Sequence, residues 1–220
     1  GRREWIYQRY TRDRYRTITG VDENMGRVLD YLDAEDLAED TLVIYTSDHG
    51  YFLGEHGWYD KRFMYEPCLR IPLLARYPRW GQPGHVATEP VVNIDFAATI
   101  LDSAGIDAPA TVQGHSLCPL LAGRSPDDWR QSTYYAYYEN SWALHGQGDE
   151  AMAEPYRYFT PHRIGPHRGV RTDRYKLIEY YGEGEYWEFF DLWEDPEELH
   201  NLYGDAEYAA ATAATKRAFL

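Results

Sequence analysis

A short unbroken apolar run, Leu42-Val43-Ile44-Tyr45, breaks off directly into Thr46-Ser47-Asp48-His49-Gly50. Apolar residues in sequence, closed by polar turn formers, have the length and pattern of a strand covered on both faces, as in a mainly parallel sheet flanked by helices. The upstream residues supply such a helix: Ile18, Val21, Met25, Val28, Leu29 and Leu32 recur at helical spacing between Tyr15 and Leu37, and Glu39-Asp40 turns the chain. Downstream, Ile71-Pro72-Leu73-Leu74-Ala75 reads as a second strand, with Pro72 tolerated at its first residues or on an edge. Ile94, Ala97, Ala98, Ile100 and Leu101 predict a helix that starts near Asn93 or Asp95 and is closed by Gly105. Helix, strand, loop, strand, helix is the order of an α/β layer protein.

Near Gly123-Arg124-Ser125-Pro126 the pattern changes. Tyrosine-rich segments at Tyr134–Tyr138, Arg174–Ile178 and Tyr186–Phe190, separated by turn residues, predict an antiparallel sheet, and an alanine-rich helix follows from about Glu207. The expected organisation is an α/β unit over residues 1–125 and a small antiparallel subdomain with a terminal helix over 126–220. Residues 141–165, aperiodic and carrying Gly, Pro and His, predict a long loop of the kind that often serves function.

With 44% hydrophobic and 16% aromatic residues in 220, the chain is long and apolar enough for a sizeable core. A net charge of −14 argues against nucleic acid or an anionic membrane as partner, since both need a broad basic field. No apolar stretch reaches the roughly 20 residues of a transmembrane helix, and Gly1-Arg2-Arg3-Glu4-Trp5 opens no secretory-signal pattern. Cys68 and Cys118, the only two cysteines, form neither a CxxC nor a disulfide framework and read as free thiols.

Chemistry concentrates just after the first apolar run. Asp48 and His49 stand at the carboxyl end of a strand, where sheet enzymes place ligand groups. A carboxylate beside an imidazole can hold a metal; equally, Asp48 can cap a following helix with His49 as an ordinary polar neighbour. Lys61 comes thirteen residues after Asp48, across a glycine-bearing loop, and an ammonium there can meet an anionic substrate or be simply solvated. His56, within Gly54-Glu55-His56-Gly57, can line a cleft or organise its own loop. Glu66 reads as a residue that holds this loop by hydrogen bonds. His167 and Arg168 can reach a pocket from the antiparallel segment or form an ordinary polar pair at a strand end.

An ordered set of segments carries a resemblance. Tyr45-Thr46-Ser47-Asp48-His49-Gly50, Gly54-Glu55-His56-Gly57, Asp60-Lys61-Arg62, Tyr65-Glu66 and Ile71-Pro72-Leu73-Leu74 resemble the second half of a sulfatase, and the likeness extends from Val21-Asp22-Glu23-Asn24 to Gly169-Val170-Arg171-Thr172. The resemblance implies an alkaline-phosphatase-like fold with a C-terminal antiparallel subdomain, and sulfate-ester hydrolysis with a divalent cation, usually calcium, and a formylglycine nucleophile. It implies Asp48 and His49 as metal ligands and Lys61 as the lysine that binds sulfate and stabilises the leaving oxygen. His56, His167 and Arg168 are the further candidates for substrate contact. Since calcium favours oxygen donors, His49 can instead donate a hydrogen bond to sulfate, and a zinc-dependent phosphoester hydrolase on the same fold stays open.

The family's C/S-x-P-S-R sequence, from which formylglycine is made, has no counterpart here: Cys68-Leu69-Arg70-Ile71-Pro72 and Cys118-Pro119-Leu120-Leu121-Ala122 both depart from it. Its first metal-binding Asp pair also has none. The chain therefore resembles the C-terminal portion of a sulfatase, inactive alone, and surface bared by the missing part would favour self-association. Among sulfatases the likeness is to the N-acetylglucosamine-6-sulfatase type, which implies a sulfated carbohydrate as substrate and a periplasmic, secreted or lysosomal-type setting. The alternatives are a phosphodiesterase or phosphonate monoester hydrolase of the same superfamily, and a noncatalytic glycan-binding module.

Overall fold

The computed structural model describes residues 1–79, 81–138, 164–181 and 185–219. The chain opens with a long helix, α1 (Arg2–Ala34), and after a turn of 3-10 helix enters β1 (Val43–Thr46). A short helix α2 (Glu66–Leu69) precedes β2 (Leu73–Arg76). Two helices follow, α3 (Asp95–Ser103) and α4 (Cys118–Leu121), and then four strands: β3 (Ser132–Tyr137), β4 (His167–Thr172), β5 (Tyr175–Tyr180) and β6 (Tyr186–Asp191). The last element is α5 (Ala209–Phe219). The long loop expected over 141–165 falls almost wholly outside the described residues. No helix among the described residues is long and apolar enough to cross a membrane.

The first two strands correct one expectation. β1 and β2 pair antiparallel, Ile44 opposite Ala75 and Tyr45 opposite Leu74, and the described residues contain no parallel pair. A parallel pair needs a crossover of a dozen residues or more, usually a helix; residues 47–72 instead fold as a compact loop that returns the chain beside β1. The amphipathic helix also departs from expectation. It begins near the chain start, and no residue of α1 is buried against the other described residues, with Ile18, Val21 and Val28 each 44–52% exposed. Two narrow strands offer such a helix too little surface.

β3 to β6 form a four-stranded antiparallel meander whose two faces do different work. Side chains alternate along a strand, so Val170, Leu177 and Phe189 share one face, where Tyr175, Trp187, Leu202, Tyr208 and Phe219 pack. The opposite face carries His167, Gly169 and Arg171 on β4, Lys176, Ile178 and Tyr180 on β5, and Glu188 and Phe190 on β6. Against it lies the segment after β1: Phe52, Phe63, Met64, Tyr65 and Cys68 join Ile164, Ile178, Phe190 and Leu192 in one buried cluster. Gly169 makes this approach close. A Cβ there would lie 2.6 Å from Met64 Sδ and would overlap the Leu177 carbonyl. The sheet is thus the floor on which the loop bearing Lys61 rests.

Candidate active site

The loop after β1 is laced by alternate amides. Gly50 donates to the Cys68 carbonyl at 2.7 Å, Phe52 to Asp60 at 2.8 Å and Gly54 to Trp58 at 2.8 Å. Position 50 admits only glycine, because a Cβ would overlap the Pro67 carbonyl. Asp60 is buried, and its carboxylate accepts the Lys61 amide at 2.7 Å and the Arg62 guanidinium at 2.5 and 2.7 Å. With Asp60 tied down and Phe63, Met64 and Tyr65 turned into the core, Lys61 is left facing outward.

These constraints bring the two legs of the loop together at their polar ends. Lys61 Nζ lies 2.7 Å from His49 Nε2. His49 Nδ1 lies 2.7 Å from the Gly50 carbonyl, which only accepts, so Nδ1 carries the proton and Nε2 presents a lone pair to the ammonium. Asp48 Oδ2 is 3.3 Å from the same Nε2. Its other oxygen accepts the His49 amide at 3.0 Å, and the side chain stands 82% exposed against 34% for His49. A carboxylate, an imidazole lone pair and an ammonium therefore converge on one open point.

The donor set fits part of a divalent-cation site. An imidazole that ligates a metal characteristically donates its other nitrogen to a carbonyl, which fixes ring and tautomer, and Gly50 provides that acceptor. Asp48 adds an anionic oxygen beside it. Among the described residues no three His, Cys, Asp or Glu side chains gather.

The other sequence candidates lie apart. His56 has φ of +54°, and its ring packs 4.9 Å from Tyr65 and stacks at 5.8 Å on Trp58. His167 lies within the packed face of the antiparallel sheet. It is fully buried, ringed by Phe63, Tyr135, Tyr137 and Tyr180 at 5.1 to 6.5 Å, with Nδ1 on the Gly165 carbonyl, and burial lowers its pKa. It stands on the sheet face that the 63–65 segment covers. Arg168 points to the other side, paired with Glu179 at 2.6 Å. Among the described residues neither makes a polar or ring contact with Asp48, His49 or Lys61. Cys68 and Cys118 are free; burial pushes the Cys68 thiol up to about 12 and that of Cys118 to about 11, so neither is a ready nucleophile.

Gly50, Asp60 and Arg171 lie in segments that the resemblance already quoted, without a role of their own, and Lys176, which also shapes this site, lies outside them. The available signal was positional: Lys176 shares a strand face with Ile178 and Tyr180, where a charge is unusual unless something covers and pairs it.

Known proteins resemble this chain over most of its length. The family model described as N-sulphoglucosamine sulphohydrolase, C-terminal, matches residues 54–147 and 144–219. An N-acetylglucosamine-6-O-sulfatase of Bacteroides thetaiotaomicron is 44% identical over 207 residues, which cover 93% of this chain and 34% of that protein. A structure solved in complex with its substrate D-glucosamine-2-N,6-O-disulfate superposes with a TM-score of 0.85 at 42% identity, covering 97% of this chain and 40% of that one. A phosphonate monoester hydrolase from Silicibacter pomeroyi gives 0.74 at 31% identity, over 90% and 38%. The chain spans about a third of the length of the curated relatives it matches. Its fold is that of the sulfatases and alkaline-phosphatase-like hydrolases, with the antiparallel sheet and α5 as their C-terminal subdomain.

Proposed function

Because the chain belongs to the family described as N-sulphoglucosamine sulphohydrolase, C-terminal, we propose that it builds one wall of a site that hydrolyses sulfate esters of amino sugars. The observation that carries this reading is the convergence of Asp48, His49 and Lys61 at 2.7 and 3.3 Å. Sulfuryl transfer keeps negative charge on the peripheral oxygens and builds it on the departing ester oxygen, so a preplaced ammonium acts where charge develops. Lys61 suits that role, being exposed, rigidly backed by Asp60, and aimed at the shared point. Asp48 and His49 would hold a divalent cation, which supplies positive charge to the sulfate oxygens when bound. The nucleophile and the remaining ligands come from residues outside these 220. His56, packed on Trp58 and Tyr65, shapes the loop rim beside the substrate; Arg168 and His167 support the sheet beneath it.

Amino-sugar substrates are supported by the relative named N-acetylglucosamine-6-O-sulfatase and by the neighbour solved with D-glucosamine-2-N,6-O-disulfate. Calcium is the metal the family resemblance favours, although the imidazole of His49 equally suits zinc or manganese. Likeness to a phosphonate monoester hydrolase, together with that imidazole, favours as second reading a phosphonate or phosphodiester substrate.

Assay of the full-length protein on N-acetylglucosamine 6-sulfate and on an aryl phosphonate monoester separates the two. Faster release of inorganic sulfate supports the first reading. Preference for the phosphonate replaces it with the second.

A further inference from the structure

We propose that α2 is the element that sets the spacing of His49 and Lys61, and that Lys176 is a positioning residue which fixes α2 through Glu66 and Glu198. The mechanistic part rests on the sulfatase reading; the geometric part does not.

Two sets of contacts meet on this four-residue helix. On its upper side, the Cys68 carbonyl accepts the Gly50 amide at 2.7 Å, next to His49, and the Cys68 thiol points at the Asp60 carbonyl at 3.7 Å, next to Lys61. Both legs of the site loop are thus referenced to one residue of α2. On its lower side, the first residue of the helix is gripped from the sheet. Lys176 Nζ lies 2.8 Å from Glu66 Oε1 and 2.6 Å from Glu198 Oε1, and Arg171 Nε donates to Glu66 Oε1 at 3.1 Å. The Glu66 amide, unpaired within so short a helix, donates to Glu198 Oε2 at 2.6 Å. Glu198 reaches this position with φ of +56°, a backbone conformation that side chains larger than glycine adopt rarely.

The cluster is deeply buried, with the Lys176 and Glu198 side chains 0% exposed. Removing such charges from water offsets most of their attraction, so the cluster contributes less to net stability than to geometry. What it supplies is direction: one ammonium joins two carboxylates, one on α2 and one beyond β6, and no apolar residue of similar volume would fix α2 in rotation and height. Burial opposes the charge on both carboxylates. Around Glu66 the pull of Lys176 and Arg171 outweighs it and holds the carboxyl below its ordinary range, whereas around Glu198 burial prevails and pushes it up.

The experiment compares the full-length protein with Lys176→Met and Glu66→Gln, using amide hydrogen exchange and steady-state kinetics on N-acetylglucosamine 6-sulfate. We expect the Gly50 and Phe52 amides to exchange at least tenfold faster in both variants while the β4 and β5 amides keep their protection, and kcat to fall at least tenfold with KM within threefold. Should Lys176→Met fail to fold, Glu66→Gln decides alone, since Gln keeps the size and the backbone donor. Unchanged exchange at Gly50 and Phe52, or an equal loss of protection throughout the sheet, overturns the proposal. A wild-type protein that releases no sulfate sinks the sulfatase reading instead, and the exchange comparison still decides whether α2 sets the spacing.

Discussion

Lys61 Nζ lies 2.7 Å from His49 Nε2, and the two side chains reach that point from opposite legs of one loop. Neither leg is a regular element there, so their meeting depends on the alternate amides of Gly50, Phe52 and Gly54 and on the sheet beneath them. Each link in that chain can be broken separately.

Gly50→Ala should be among the most damaging small substitutions in the molecule. Its methyl group would meet the Pro67 carbonyl, and relief requires α2 to move away from the loop. Overpacking of this kind costs about 1–3 kcal/mol. Thermal denaturation should show that loss, and activity of the full-length protein should fall further than the lower melting temperature explains.

Asp48→Asn should weaken divalent-cation binding at least tenfold, because affinity for hard cations follows the number and charge of oxygen ligands. Asn keeps the size and the hydrogen bond from the His49 amide. Calorimetric titration of the full-length protein with calcium and with zinc checks this, and an unchanged affinity for both would remove Asp48 from the ligand set.

Glu188 predicts a pH dependence with a definite sign. Burial raises its pKa, although it accepts hydrogen bonds from Tyr65 at 2.9 Å and Tyr180 at 3.2 Å. A carboxyl whose folded pKa lies above its unfolded value favours the folded state below about pH 4.5, and this contribution is lost as pH rises through the folded value. Glu188→Gln removes the titration while keeping an acceptor for both hydroxyls. The melting temperature of the variant relative to wild type should therefore rise between about pH 4 and pH 8, and a flat difference would contradict the assignment.

His167→Phe tests the buried imidazole in the opposite direction. Burial lowers the folded pKa of His167, so its neutral form favours folding above the ordinary histidine value and that stability is lost as pH falls through it. The Phe variant should lose less stability than wild type on acidification from about pH 7. Its KM should match the wild type, because the ring is enclosed by Phe63, Tyr135, Tyr137 and Tyr180. A raised KM would return His167 to the substrate.

The local parts of this structure were legible in the sequence. The apolar run ending in Asp48-His49 is a strand end, the tyrosine-rich segments are strands of one antiparallel sheet, and Gly105 does close α3. What escaped was non-local. The antiparallel register of β1 and β2 depends on how residues 47–72 fold back, which no periodicity records. Residues 2–14 extend α1 toward the chain start, where Trp5 and Ile6 are the only apolar residues besides tyrosine among Arg, Glu and Gln and carry no continued stripe to reveal it. His167 alternates correctly with Gly169 and Arg171, but only the packing of Phe63 and Met64 on that face makes it the covered one. The partners of Lys176, Glu66 and Glu198, come from distant segments, and no local pattern records that they meet it.

The role of Lys61 is tested most directly by the rate at which full-length Lys61→Ala and Lys61→Arg release sulfate from N-acetylglucosamine 6-sulfate. Loss of one preplaced charge-stabilising group typically costs roughly 10²–10³ in kcat. A fall of that order is expected for Lys61→Ala, with partial recovery in Lys61→Arg and an unchanged melting temperature for both. A kcat/KM within threefold of wild type for Lys61→Ala would contradict the assignment.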